Sequence, residues 1–453
     1  MPFAGYKYLA KQTLAKESDF ALGIFSHIFL LLCWNLIARC ISVSSLMFQH
    51  ISWSNDAMVI VFPTTKSDLE GKHCSPKHVY ANTTCPDICP ILSFAVYFFT
   101  LGMRREGSRC AVFGENVKGV EDRFGSWLGK VASVESVSAV LVQMGISRVE
   151  IGTHSFRKGV ATYLSSMVSG PSAIAIYLRA GWSLGPVQSR YIMEGQGGDQ
   201  LCGRAATGLS MTCIEFSNLP PHFNLSDGPI LTLEQWEDII PGYRTYYPSS
   251  FHQVIPFLLA SLVYHKQWLV NTLPNAHPLF NSRVWSSPIF DSLSDKVLSG
   301  NGHNATSGLT ATGIPPHVLI ANEIAQLRSE FGDQLREHRL AVISKLDEQR
   351  VEFNGKLEEL PMKLKECLLQ NFAIEGIVPI TAEQVVSMIS SVQTNILAAM
   401  QEQAEATSRA IAGAATRSTP PISVDNSTEQ NADWKWLWGG RFHPVPRGYI
   451  FPR

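Results

Sequence analysis

The chain has 453 residues, 45% of them hydrophobic, which is enough for a sizeable core and excludes a protein disordered throughout. Its 37 Lys and Arg against 38 Asp and Glu give a formal net charge of -1, so overall charge neither selects nor excludes a nucleic-acid partner. Nine cysteines at irregular spacing fit reduced intracellular thiols rather than a disulfide framework.

The first 20 residues lack the apolar run of a signal peptide. The stretch LGIFSHIFLLLCWNLIA, 22–38, is almost wholly apolar. It is short for a membrane span, it carries His27 and Asn35, and Arg39 follows it, so a buried core helix near 20–38 is expected and no membrane partner. HISWSNDAMVIVFP then reads as two strands around a turn at Ser54-Asn55-Asp56, and HVYAN as a third. Helical signals follow at 88–103, about 125–144, about 154–168, 171–180 and about 184–194. Residues 1–210 thus form one expected domain, mainly α with a small three-stranded antiparallel sheet. It holds 19 Lys and Arg against 14 Asp and Glu, a mild basic bias compatible with a DNA partner.

Residues 211–285 read as a helical accessory region, a satellite built on LTLEQWEDII and SSFHQVIPFLLASLVYHKQWLVNTL. A Ser-, Gly-, Asn- and Pro-rich loop is expected over 286–317. From 318 to 408 a coiled-coil helical region is expected. Ile320, Ile324, Leu327, Phe331 and Leu335 step by three or four residues, and after a gap at His338 the steps resume at Val342, Leu346, Phe353, Leu357 and Leu360. Such a rod of about 40 residues would reach roughly 60 Å and points to a homo-oligomer. Residues 409–432 read as a disordered linker, and the Trp-rich 433–453 as the start of a truncated C-terminal module or a segment that docks elsewhere.

GTHSFRKGV, 152–160, carries the chemistry. His154 and Arg157 are three apart at a helix N-terminus, where backbone N–H groups favour an anion, and Ala161 leaves room beside them. Phe156, Val160, Tyr163 and Met167 form an apolar stripe, so the pair is expected to face away from the core, and phosphate is the natural ligand. Trp182 stands nine residues before Tyr191, and Tyr191 stands 37 after His154.

This order resembles the tyrosine recombinase (phage integrase) family, in which H-x-x-R is followed by a Gly-His or Gly-Trp step and a nucleophilic tyrosine. LLCWNLIARCISVSSL is similar to the segment bearing the family's first arginine, here Arg39, and VIVFPTTKSD to the hairpin bearing its lysine, here Lys66. THSFRKGVATYL, LRAGWSLGPVQSRYI and GDQLCGRAATGLS look like recombinases of Crypton-type transposable elements. The resemblance implies a catalytic domain acting on double-stranded DNA in a eukaryotic nucleus. Tyr191 would attack a phosphodiester to form a 3′-phosphotyrosine, and a 5′-hydroxyl would reverse the step. Arg39 and Arg157 would bind the non-bridging oxygens, Trp182 would donate its indole N–H, His154 would assist proton movement at the tyrosine, and Lys66 would protonate the leaving oxygen. That chemistry calls for no metal and no small-molecule cofactor.

Two features depart from the family. Cys40-Ile41-Ser42-Val43 follow Arg39 where an acidic residue is usual, and the sequence begins almost at the expected catalytic domain, so the helical domain that closes over DNA in the family is expected to be absent from it. Other readings are a degenerate or co-opted DNA-binding protein that multimerises through its long helix, a type IB topoisomerase, and a membrane scaffold built on 22–38. His73, Cys74, His78, Cys85 and Cys89 cluster without the spacing of a common zinc site, so no metal is expected there.

Overall fold

The computed structural model describes residues 1–14, 19–63, 75–102, 110–182, 198–224, 228–301, 308–372, 381–417, 435–438 and 441–444. They fall into two compact units, Met1–Phe331 and Gly332–Arg453. The architecture is mainly helical, with a three-stranded antiparallel sheet and a long helix, as the sequence pattern implies.

In the first unit, α1 (Phe3–Leu14) packs on α2 (Phe20–Asn35), which is buried on nearly all sides. Asp19 caps α2 by accepting from the Leu22 amide at 2.9 Å. Tyr6 stacks on Trp34 with centroids 4.1 Å apart, and the Trp34 indole N–H donates to the Ala206 carbonyl at 3.0 Å. The polar interruption at His27 is satisfied internally: Nε2 lies 2.8 Å from the Asp87 carbonyl and Nδ1 lies 2.7 Å from the Ser93 hydroxyl. Burial drops this imidazole to a pKa of about 4, so it is neutral at physiological pH. The apolar run is therefore a core helix, and no described helix is long and apolar enough to cross a membrane.

Beyond α3 (Cys40–Ser44), the strands β1 (Ile51–Ser54), β2 (Ala57–Ile60) and β3 (Lys77–Val79) lie in sequential order, paired antiparallel. Ser54 pairs with Ala57, which leaves Asn55-Asp56 as a two-residue turn, and Asn55 adopts the left-handed φ of 50° that such a turn demands. The helix expected over 88–103 begins at Pro90 as α4 (Pro90–Tyr97) and ends in a π turn, Phe98–Gly102. The single helix expected near 125–144 is two, α5 (Val117–Ser133) and α6 (Glu135–Gln143). The Asn116 side chain caps the first by accepting from the Gly119 amide at 3.0 Å, and extended backbone at Val134 divides them. Next come α7 (Thr153–Ser165), α8 (Ala173–Ala180) and α9 (Asp199–Ala206); the helix expected at 184–194 lies outside the described residues.

A second sheet pairs β4 (Asn218–Phe223) with β5 (Val297–Asn301), antiparallel, with a register shift between Leu219 and His222. Pro220 and Pro221 occupy that irregularity, where the ladder needs no N–H. The expected loop over 286–317 is corrected accordingly: it contains β5 and a short helix, Pro288–Ser292. The region 211–285 does not stand apart as a satellite. Trp53 on β1 stacks on Phe257 with centroids 3.7 Å apart, and Phe48 lies 4.5 Å from Phe251, so aromatic packing joins it to the sheet. A chain ended at 285 would lose β5.

Two buried arginines tie these layers together. Arg204 on α9 is ion-paired with Asp56 in the β1–β2 turn, both fully buried. It also donates to the carbonyls of Thr312 and Phe216, each at 2.8 Å, and lies over the Tyr80 ring. Arg179 on α8 ion-pairs with Asp199 on α9 and donates to the Asn35 carbonyl, which closes α2, and the His78 carbonyl on β3, each at 2.8 Å. Gly203 is required for the approach of α9 to β3, since a Cβ there would stand 2.2 Å from the His78 carbonyl oxygen.

The long helix, Pro316–Phe372, has 57 residues, more than the roughly 40 expected, and Pro361 lies within it. A further helix, Ala382–Arg417, extends into 409–417, which the sequence reading assigned to a disordered linker. In the Trp-rich segment Lys435–Trp438 pairs antiparallel with Arg441–Pro444.

Asp56→Ala would strand the Arg204 guanidinium without a counter-charge, so we expect a loss of about 3 to 5 kcal/mol of unfolding free energy. Glu234→Ala, which removes an exposed pair with Arg244, should leave the urea midpoint unchanged. Asp199 supplies a pH signature. Burial pushes its carboxyl up, but Arg179 and the His78 donors outweigh burial and hold it well below the usual carboxylate range. Its contribution is then fully present above an unfolded carboxylate value of about 4 and is lost as pH falls further towards the folded value. The gap in thermal midpoint between wild type and Asp199→Asn should be constant from pH 7 to about 5 and close below about 4.

Candidate phosphate-binding site

The helix α7 opens at Thr153 behind Gly152, which has no side chain with which to satisfy the first-turn amides. His154, its second residue, is exposed, as the sequence implies. Arg157 is not. It is only 4% exposed, so the expectation that both side chains face away from the core is corrected. Three residues on a helix are about 60° out of line, enough to turn Arg157 beneath the end of α8. There the Ala180 carbonyl accepts from its Nη2, while its Nε has no hydrogen-bond partner among the described residues.

The end of α8 is shaped to deliver an aromatic ring to that guanidinium. Gly181 takes the left-handed conformation at φ 64°, a backbone where a Cβ would be strained. The amides of Gly181 and Trp182 then return to the carbonyls of Leu178 and Tyr177, each at 2.9 Å. Trp182 lands with its ring 5.5 Å from the Arg157 guanidinium carbon, and Tyr177 meets its edge at 5.2 Å.

Arg39 is partly buried, in extended backbone (φ -76°, ψ 148°) before the first turn of α3. Burial first, and the neighbouring Arg39 charge second, lower Arg157 to a pKa of about 10, leaving it cationic at neutral pH. Neither arginine has a carboxylate partner among the described residues, in contrast to Arg179 and Arg204. Two guanidinium groups close enough to repel, one buried and neither with a carboxylate partner among the described residues, make a candidate anion cradle. An oxyanion there would supply the missing charge and accept from the free Nε.

The structure thus brings together Arg39, Arg157 and Trp182, with His154 on the same first turn. Lys66 and Tyr191 lie outside the described residues. Of the Cys and His cluster, His78 is engaged by Asp199 at 2.9 Å, and the Cys89 sulfur accepts from the Asn82 amide at 3.3 Å. His73 and Cys74 lie outside the described residues, among which no group of metal-binding side chains is assembled. Sequence reasoning missed Arg179 and Asp199, which set the position of α8. One signal was available: Arg179 falls on the buried face of α8 with Ala175, Ile176 and Ala180, where a charge needs a partner.

No protein-family model matches the chain, and no curated protein matches it.

If the cradle holds an oxyanion, millimolar pyrophosphate should raise the thermal midpoint of the wild-type chain. Arg157→Met removes an uncompensated buried charge while keeping an unbranched apolar stem. It should unfold at no lower temperature than wild type without ligand, and should show no pyrophosphate response in the same thermal scan.

Proposed function

We propose that the unit Met1–Phe331 acts on double-stranded DNA as a strand-transfer enzyme of the tyrosine recombinase type, working through a 3′-phosphotyrosine. The observation that carries this reading is the pair of guanidinium groups of Arg39 and Arg157, without a carboxylate partner among the described residues, with the ring of Trp182 beside Arg157. A phosphodiester in the cradle would place its non-bridging oxygens, where negative charge grows in the transition state, against both arginines. The Tyr191 hydroxyl would attack phosphorus and lose its proton with help from His154. The bond to the 5′-oxygen would break, and that oxygen would take a proton from Lys66. Attack by a second 5′-hydroxyl would then expel the tyrosine, so the bond energy is retained and no nucleotide is consumed.

A second reading is a protein that binds DNA phosphate through the same cradle without cleaving it. The contact of Arg157 with the Ala180 carbonyl favours it, because one arm of the guanidinium is already occupied.

A nicked suicide duplex separates the two. The strand-transfer reading expects a covalent protein–DNA complex that Tyr191→Phe abolishes while binding persists, and that Tyr177→Phe leaves in place. Arg157→Ala should slow its formation by about 10² to 10³, the usual cost of losing a transition-state donor. Binding with no covalent complex from the wild-type chain would favour the second reading.

A further inference from the structure

The helix Pro316–Phe372 carries a row of apolar side chains of which only Leu357, 9% exposed, is buried within its own chain. Ile320, Leu327, Phe331, Leu335 and Leu346 are 56%, 63%, 65%, 59% and 49% exposed. As a heptad this row is irregular, with a break at His338. As an 11-residue repeat it is unbroken. Ile320, Phe331, Val342, Phe353 and Leu364 recur every 11 residues, and so do Ile324, Leu335, Leu346 and Leu357, and Leu327, His338, Gln349 and Leu360. Between Ile320 and Leu364 the steps are 4-3-4 throughout, so His338 and Gln349 are members of the row and not gaps in it.

We infer that this helix pairs in parallel and in register with the same helix of a second copy of the chain. The seam has an 11-residue period, near-straight or slightly right-handed instead of left-handed. Three features select a second copy as occupant. The row runs for 45 residues, about 67 Å of helix, and its partner must present the same period over that length. The helix Ala382–Arg417 of the same chain has 36 residues, too few to cover it. The charges also favour one orientation. At about 3.67 residues per turn, Arg328, Arg339 and Arg350 lie along one shoulder of the seam, with no ion-pair partner among the described residues. On the other side the mirror positions hold Glu323, Gln334, Lys345 and Lys356, with Glu330 and Glu352 just outside them and Glu337, Glu348 and Glu359 further out. The lysines on that side, Lys356 and Lys363, are neutralised by Glu352 and Glu359 of the same helix, each at 2.7 Å, and Lys345 is the remaining cation. A parallel pair sets the arginine shoulder of one copy against the glutamate-bearing side of the other, whereas an antiparallel pair sets arginine against arginine. In register, Gln349 meets Gln349, where the two amides can bond to each other. A shift by one repeat would pair it with His338 or Leu360, so the polar positions fix alignment.

The period is tested by deletion in the full chain, read by light scattering at matched micromolar concentration. Removing 342–352, one whole repeat, keeps the row in phase and should leave a dimer mass. Removing 342–348 turns the second half of the row by about 33° and brings Lys356 into the seam in place of Leu357, so at the same concentration it should shift the mass towards monomer, with helical circular dichroism retained. The opposite pattern would establish a heptad seam and overturn the inference, as would a wild-type chain that is monomeric, two deletions that are both monomeric, or two that both stay multimeric. Orientation is read separately. Gln349→Cys should give a reducible cross-linked dimer well above the level of wild type and of Ser344→Cys, which lies on the far face; equal cross-linking would exclude parallel register. None of these measurements involves DNA, so they can fail while the covalent-trap experiment succeeds, and the reverse.

Discussion

The buried guanidinium of Arg179 is the constraint on which the geometry of the first unit depends. A cation that is almost fully buried must be paired and hydrogen-bonded, or the fold would carry several kcal/mol of uncompensated desolvation. Arg179 meets that demand with Asp199 and with the carbonyls of Asn35 and His78, so one side chain draws together α8, α9, the end of α2 and the third strand. Arg204 does the same for the sheet turn through Asp56. Sheet and helices are held by charge at their junctions and by apolar packing elsewhere.

That junction places the cradle. Because Arg179 fixes the last turn of α8, the left-handed Gly181 and the ring of Trp182 fall against Arg157. Because it also holds the Asn35 carbonyl, the segment leading to Arg39 starts from a fixed point. Four arginines thus divide into two kinds by their partners. Arg179 and Arg204 have carboxylates and bind the fold together. Arg39 and Arg157 have none among the described residues and repel each other, a cost an incoming oxyanion would relieve. This division, more than the motif, is why a phosphate ligand is the economical account of the site.

The long helix follows a different logic. All of its apolar row but Leu357 is exposed in the single chain, and among the described residues Arg328, Arg339 and Arg350 on one shoulder lack the carboxylate partners that Lys356 and Lys363 on the other side have. In the first unit an unpaired charge points to the ligand, and along the helix unburied apolar surface together with unpaired charge points to the partner.

The sequence by itself determined most of what is local. The apolar run of α2, the Asn-Asp turn between two short strands, and the helix opening at Thr153 each follow from side chains within a few residues of one another. The spacing from His154 to Trp182 is likewise a property of the chain alone. Tertiary structure decided what depends on distant partners. It brought β5, in a segment with the composition of a loop, against the proline-broken β4, and it joined 211–285 to the sheet through Trp53 and Phe257. It turned Arg157 inward while leaving His154 exposed, and among the described residues it gave Arg179 a carboxylate and Arg157 none. The physical reason is that helical and turn propensities act through neighbouring residues. The burial of a charge, and the partner that makes it tolerable, depend on residues such as Asn35, His78 and Asp199, which meet Arg179 only when the chain is folded.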